Sequence, residues 1–197
     1  MVKEHDLRYI RTQKLIHEAF IELMETIGFD KITVRAITEK AMINRSTFYL
    51  HYMDKFELLR TLEDGMLEEI KSIFVKIPID VFVNKTYNIE EINTLLTKAY
   101  QHIKENSRFY LLMMSKKGNP AFFHKLSDIV KEVVQSNIIS SSQGGIPEKY
   151  LVAIVSEAQT SIIKEWLGSK MEESPEELAN IVSNFIMYFV QGANLYN

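Results

Sequence analysis

The sequence predicts an all-α protein, and three observations carry that expectation. Apolar residues recur at i, i+3, i+4 and i+7 along much of the 197-residue chain. Pro, Gly, Ser and Asn punctuate it at intervals of helix length. One stretch, Thr33 to Leu59, has the pattern of two short helices joined by a tight turn with another helix at once behind them. The size suits a small N-terminal module over residues 1–53 and a larger helical domain over 54–197, with a helix at 54–75 linking the two.

The first helix is expected from about Asp6 or Leu7 to Ile27, on the rhythm of Ile16, Ala19, Phe20, Leu23, Met24 and Ile27, and it stops at Gly28. Arg8 and Arg11, near its start, could reach a phosphate or the minor groove or stay solvated on the surface. Thr33 stands where an N-cap belongs, ahead of a short helix over Val34 to Ala41 whose buried face is Val34, Ile37 and Ala41. Met42-Ile43-Asn44 forms the turn, and Asn44 can cap the next helix, Arg45 to about Tyr52. That helix points Phe48 and Tyr52 inward and leaves Arg45, Ser46, Thr47, Tyr49 and His51 to solvent. Arg binds guanine through two hydrogen bonds, Ser and Thr donate or accept, and the Thr methyl meets the thymine methyl, so this outer set suits base reading. Asp54 caps the fourth helix and places Lys55 in its first turn, where an external anion would offset a cation opposed to the helix dipole. Phe56, Leu59, Leu62, Met66, Ile70, Ile73 and Phe74 give that helix a broad apolar face.

The segment resembles the DNA-binding domain of TetR/AcrR-type transcriptional regulators, whose usual pattern runs T-V-x-x-I-A-x-x-A-G-V-S-x-x-T-F-Y-x-H-F-x-x-K-x-x-L. This chain supplies Thr33, Val34, Ile37, Ala41, Ile43, Thr47, Phe48, Tyr49, His51, Tyr52, Lys55 and Leu58 at those places. The resemblance implies double-stranded DNA as partner, phosphate contacts from Thr33, Tyr49 and Lys55, and base contacts from Arg45, Ser46 and Thr47. Two departures stand out. Met42 replaces the turn glycine and must take a conformation glycine reaches more cheaply, so a slightly altered turn is expected. Asn44 replaces a capping serine, a milder change.

Charge is distributed unevenly. Residues 1–60 hold ten Lys and Arg against nine Asp and Glu, a net +1, while 61–197 hold thirteen against seventeen, a net −4, within the overall −3. DNA affinity must then come from local placement of cations, and non-specific binding should be weak. With no cysteine, disulfides and thiolate metal sites are excluded, which is compatible with a reducing cytoplasm. The opening residues lack the apolar run of a signal peptide, and no stretch approaches about 18 uninterrupted apolar residues, so no membrane partner is expected and the location expected is cytoplasmic.

Pro78 ends the linking helix and Pro78 to Asn88 reads as an irregular connector. Helices follow at roughly Ile89–Asn106, Arg108–Lys117, Pro120–Ile139, Pro147–Gly168 and Pro175–Ala193, with a flexible loop at Ser140 to Gly145. Phe109, Tyr110, Met113, Met114, Phe122, Phe123 and Trp166 could line an apolar ligand pocket or be solid core. His102 and His124 could orient a polar ligand or sit satisfied at the surface. The last helix is apolar around most of its circumference, with Leu178, Ile181, Val182, Phe185, Ile186, Phe189 and Val190 in one stripe, as for a helix buried on two sides. The family resemblance implies that the two C-terminal helices pair with those of a second copy, Ile181, Phe185, Ile186 and Phe189 forming the homodimer interface. The alternative is a helix central to a monomeric core.

SKKGNPAFFHKL (Ser115 to Leu126) and IIKEWLGSKMEESPEELA (Ile162 to Ala179) resemble a branch of the family often encoded beside dihydroxyacetone kinase genes. That implies an effector which is a small molecule or a protein subunit, and a regulator able to activate as well as repress. No catalytic constellation, metal site or cofactor motif emerges. The expectation is a regulator, a repressor on a palindromic operator, with an activator or a protein-interaction bundle as alternatives.

Overall fold

The computed structural model describes residues 4–77, 88–137 and 147–193. Among these residues there are nine α-helices, one 3₁₀ turn and no strand: α1 (Glu4–Ile27), the turn Phe29–Lys31, α2 (Val34–Lys40), α3 (Arg45–Tyr49), α4 (Lys55–Phe74), α5 (Ile89–Glu105), α6 (Ser107–Met114), α7 (Ala121–Asn137), α8 (Glu148–Gly168) and α9 (Pro175–Ala193). The expected connector before Asn88 and the expected loop at Ser140 to Gly145 lie outside the described residues.

The chain divides into two compact units. The first holds Met1–Met66 together with Leu112–Pro120, and the second holds Leu67–Leu111 and Ala121–Asn197. The division falls within α4, so that helix contributes to both.

In the first unit, α1 buries Ile16, Ala19, Phe20 and Met24, the face its periodicity marks. It ends because Gly28 takes φ 78°, a left-handed conformation costly for any residue with a Cβ, while the Gly28 N–H donates to Met24 O at 3.0 Å. Ile32, Ile37, Phe48 and Leu58 complete the core from the other elements. α4 departs from expectation at its start. Leu58 is buried and Phe56 is exposed, its ring edge-on to Phe29 with centroids 5.3 Å apart, so the inward stripe begins two residues later than expected. Asp54 caps α4 as expected, accepting from the N–H groups of Phe56 and Glu57, both at 2.8 Å.

In the second unit α5 packs on α9, and α7 packs on α8. Asn88 starts α5 by accepting from Glu90 N and Glu91 N. Ile92, Leu96, Tyr100 and Ile103 form its buried stripe. Trp166 fills the end of α8, its indole N–H donating to Glu173 O at 3.0 Å and its ring set at 64° to that of Tyr100. α9 is buried on one side, through Leu178, Ala179 and Val182, and open on another, where Ile181, Phe185 and Tyr188 are exposed. Among the described residues no helix is long and apolar enough to cross a membrane.

Candidate nucleic-acid interface

The helix-turn-helix is built from residues that fix its geometry one at a time. Thr33 is extended at φ −121°, and its hydroxyl accepts from Ala36 N at 3.1 Å, which starts α2. The hydroxyl keeps its own proton to donate outward. Met42 takes φ 52°, so the turn uses the left-handed geometry that the missing glycine would supply. Ile43 N then donates to Thr38 O at 3.0 Å, and the chain turns into α3. Asn44 occupies the N-cap position with φ −75° and ψ 151°, but its side chain makes no capping bond. Its carbonyl receives the Thr47 and Phe48 N–H groups instead, leaving the exposed amide free of that task.

Phe48 is fully buried and anchors α3 from beneath. Arg45, Ser46 and Tyr49 are exposed, and Thr47 is half-buried. α3 is shorter than expected, ending at Tyr49, with Leu50 as its C-cap in helical geometry. Leu50 is 78% exposed, an apolar side chain beside the expected base-reading set that sequence reasoning missed. His51 is not the free surface group expected. It is half-buried and stacked on Tyr9 at 4.0 Å between ring centroids. Its Nδ1 is buried without a hydrogen-bond partner, and burial lowers its pKa.

Tyr52 ties the end of this motif to α1. Its hydroxyl accepts from Gln13 Nε2 at 3.1 Å and meets His17 Nε2 at 2.6 Å. Burial, and then the nearby His51, hold His17 down at about 4, so it is neutral near pH 7. These supports lie 35 and 39 residues from Tyr52, and no local sequence signal announces them. The Tyr9–His51 stack places the start of α1, one residue after the exposed Arg8, beside the end of the motif.

Lys55 is more committed than its sequence position suggests. Its ammonium donates to Phe29 O at 3.0 Å and Asp30 O at 3.1 Å, and lies 4.6 Å from the Phe29 ring centroid. A lysine carries three N–H groups, so one remains for an external acceptor.

The candidate ligand set is divided by the structure. Met113 and Met114 fall in the first unit, and the other five in the second. Phe109, Tyr110, Phe122 and Phe123 are buried and packed edge to face, with successive centroids 5.4 to 6.2 Å apart. Met113 is buried and Met114 exposed. His102, half-buried, sets its ring at 90° to that of Tyr110, and both His102 Nε2 and the Tyr110 hydroxyl are buried without a partner. Of the expected dimer residues, Ile181 and Phe185 are exposed and Ile186 half-buried, while the side chain of Phe189 lies outside those described. Among the described residues no group of three or more His, Asp or Glu could hold a metal ion.

Comparison with known proteins bears on both units. Residues 16–62 match the family described as bacterial regulatory proteins, tetR family, and residues 90–188 match the one described as the transcriptional regulator C-terminal region. The uncharacterized HTH-type transcriptional regulator YxbF of Bacillus subtilis (strain 168) is 39% identical over 69 residues, 34% of this chain. The chain spans only 18% of that relative's length. The HTH-type dhaKLM operon transcriptional activator DhaS of Lactococcus lactis subsp. lactis (strain IL1403) is 23% identical over 186 residues, covering 91% of this chain and 93% of that one. The crystal structure of a TetR transcriptional regulator from Streptococcus agalactiae 2603V shares the fold with a TM-score of 0.62 at 22% identity, over 92% of this chain and 97% of that one. A helix-turn-helix anchored by the buried Phe48, with family matches over residues 16–62 and 90–188, leads to one assignment: the chain belongs to the TetR family and is a DNA-binding transcriptional regulator, not an enzyme.

Proposed function

We propose that this regulator is a homodimer that reads a two-fold-symmetric operator and represses transcription by occupying it. Arg45, Ser46 and Thr47 read base edges, Thr33, Tyr49 and Lys55 bind phosphates, and Asn44, His51 and Arg8 border the same contact. The observation that carries this reading is the exposure of Arg45 and Ser46 at the start of a helix locked by Phe48, with Thr33 keeping a free hydroxyl proton. Two-fold symmetry is supported by the open apolar face of α9. Phe185 is 56% exposed in the single chain, and with Ile154, Ile162, Val182 and Ile186 it lines a groove between α8 and α9. A self-complementary pairing of those helices would cover it. Half-sites would then stand roughly 34–36 Å apart or a multiple of that.

Repression needs nothing beyond occupancy of a promoter. Activation is the second reading, favoured by the likeness along 91% of the chain to a protein named as an operon activator. An effector acting on the second unit belongs to the proposal. The buried His102 Nε2 and Tyr110 hydroxyl, with the rings of Phe109 and Phe122 against that of Tyr110, offer a small polar molecule two hydrogen-bonding groups in an aromatic setting.

Selection of bound duplexes from a random pool tests the reading. An inverted repeat should emerge, and the pure protein should sediment as a dimer. A pool that enriches no sequence would overturn it. Transcription in vitro from a promoter carrying the selected site then separates repression from activation by its sign.

A further inference from the structure

Leu50 closes α3 with an apolar side chain that its own chain leaves uncovered. Its backbone stays helical, at φ −75° and ψ −18°, and its N–H donates to Ser46 O and Thr47 O, both at 3.2 Å. Leu50 therefore stands one turn beyond Ser46 and Thr47 on the surface of the helix. It follows the fully buried Phe48 by two residues, about 200° round the helix axis, so it occupies the side opposite the anchor. The backbone behind it is fixed. His51 N and Tyr52 N both donate to Phe48 O at 2.9 Å, and Tyr52 is itself buried, its hydroxyl held by Gln13 and His17 of α1. Met42 and Met53 are exposed too, but they lie in the segments before and after α3 and share no helical face with Arg45, Ser46 and Thr47.

A lone exposed leucine is ordinary on a protein surface. At this position it has a chemical consequence, because a helix laid in the major groove meets base edges whose one protruding apolar group is the thymine C5 methyl. A leucine side chain neither donates nor accepts. Set against cytosine N4 or guanine O6, it would strip water from a polar group and give nothing back. A thymine methyl set against it takes apolar surface of both partners out of water. We propose that Leu50 is a base-reading residue that recognises a thymine methyl and so fixes an A·T pair in the operator. It selects twice, by attraction to the methyl and by exclusion of bases that present polar groups there. The proposal rests on the reading of α3 as the DNA-facing helix, and it adds to Arg45, Ser46 and Thr47 a reader that makes no hydrogen bond.

The duplex selected from a random pool by the parent chain supplies the probe. Each of its thymines is replaced in turn by uracil, which removes the methyl and keeps the pairing, and affinity is measured at one fixed salt concentration. At one or more positions the replacement should weaken parent binding about threefold to tenfold, the scale of one buried methyl. Leu50→Ala should bind the thymine and uracil forms of such a position alike, and Leu50→Met should keep the discrimination of the parent. At the same position cytosine should bind worse than thymine, and 5-methylcytosine should recover part of the loss for the parent but not for Leu50→Ala. The urea midpoint of Leu50→Ala should stay that of the parent, since the side chain is exposed. A uracil penalty that persists undiminished at every position in Leu50→Ala assigns the methyl to another residue and overturns the proposal, as does a selected duplex in which no uracil matters. Failure of the underlying reading looks different. A pool that enriches no sequence, or an Arg45→Ala variant that selects and binds the same duplex as the parent, takes α3 out of the groove and Leu50 with it.

Discussion

Arg45 stands exposed at the first position of α3, a helix whose first turn is closed by the Thr47 and Phe48 N–H groups on the Asn44 carbonyl and which is anchored by the buried Phe48 ring. A guanidinium so placed can give a guanine two parallel hydrogen bonds. Arg45→Ala should cost about 1–3 kcal/mol of operator affinity and relax base preference at one position of each half-site, measured by repeating the duplex selection. Met42 offers a test of a different kind. It holds φ 52° while 89% exposed, so it bears the cost of left-handed geometry and gains little packing in return. Met42→Gly should raise stability by roughly 0.5–1 kcal/mol, read from urea unfolding, the relief of strain being partly offset by the greater freedom of glycine when unfolded. That conformation was legible in the sequence, because a turn of this length needs one residue with positive φ and the glycine is missing. The use of Lys55 was not. Its position in the first turn of α4 was correct, but its hold on Phe29 O and Asp30 O depends on α2 and α3 bringing the start of α4 back beside the 3₁₀ turn.

At the scale of elements, the contact of α1 with the end of the helix-turn-helix is polar where most of the core is apolar. His17 meets the Tyr52 hydroxyl, and its pKa is pushed down to about 4, first by burial and second by His51. The unfolded chain takes up this proton below about pH 6.5 while the folded chain does not. Stability from His17 is therefore present above pH 6.5 and is lost as the pH falls toward 4. His17 is half-buried, so after screening by solvent the loss should be on the order of 1–2 kcal/mol. Comparing urea midpoints at pH 7.5 and 5 for the parent chain and His17→Gln should show a smaller drop in the variant; equal drops would assign the effect to other groups. Helical periodicity located α1, α4, α5, α8 and α9 to within two or three residues, since each has a long stripe facing its core. It overran α3 and α6, which are too short for the period to mark an end. Pairings such as His17 with Tyr52 or Lys117 with α1 join residues far apart in sequence, and single-chain periodicity carries no information on them.

For the whole molecule, the question is what covers α9. Its inner stripe of Leu178, Ala179 and Val182 is buried within the chain, whereas Ile181, Phe185 and Tyr188, at 55%, 56% and 75% exposure, face outward. Scattered apolar side chains are ordinary on a surface, but these recur at intervals of four and three along one helix. Tyr150 and Ile154 of α8 are exposed as well, and Ile154 shares a groove with Phe185. A stable interface buries about 1,200–2,000 Å² in total, a size that two helices from each of two copies can supply. Phe185→Glu should therefore convert a dimer into a monomer at micromolar concentration, because pairing would bury two carboxylates without partners. Circular dichroism and the thermal transition of the monomer should stay those of a folded helical protein, since Phe185 contributes to no core within the single chain. Loss of helical structure in the variant would instead make α9 a core helix of a monomer. Operator affinity should fall with the dimer, because a linked pair of modules meets its second half-site at high effective concentration and a single module does not. A variant that remains dimeric in sedimentation, yet binds the selected duplex like the parent, would place the symmetric contact elsewhere on the molecule.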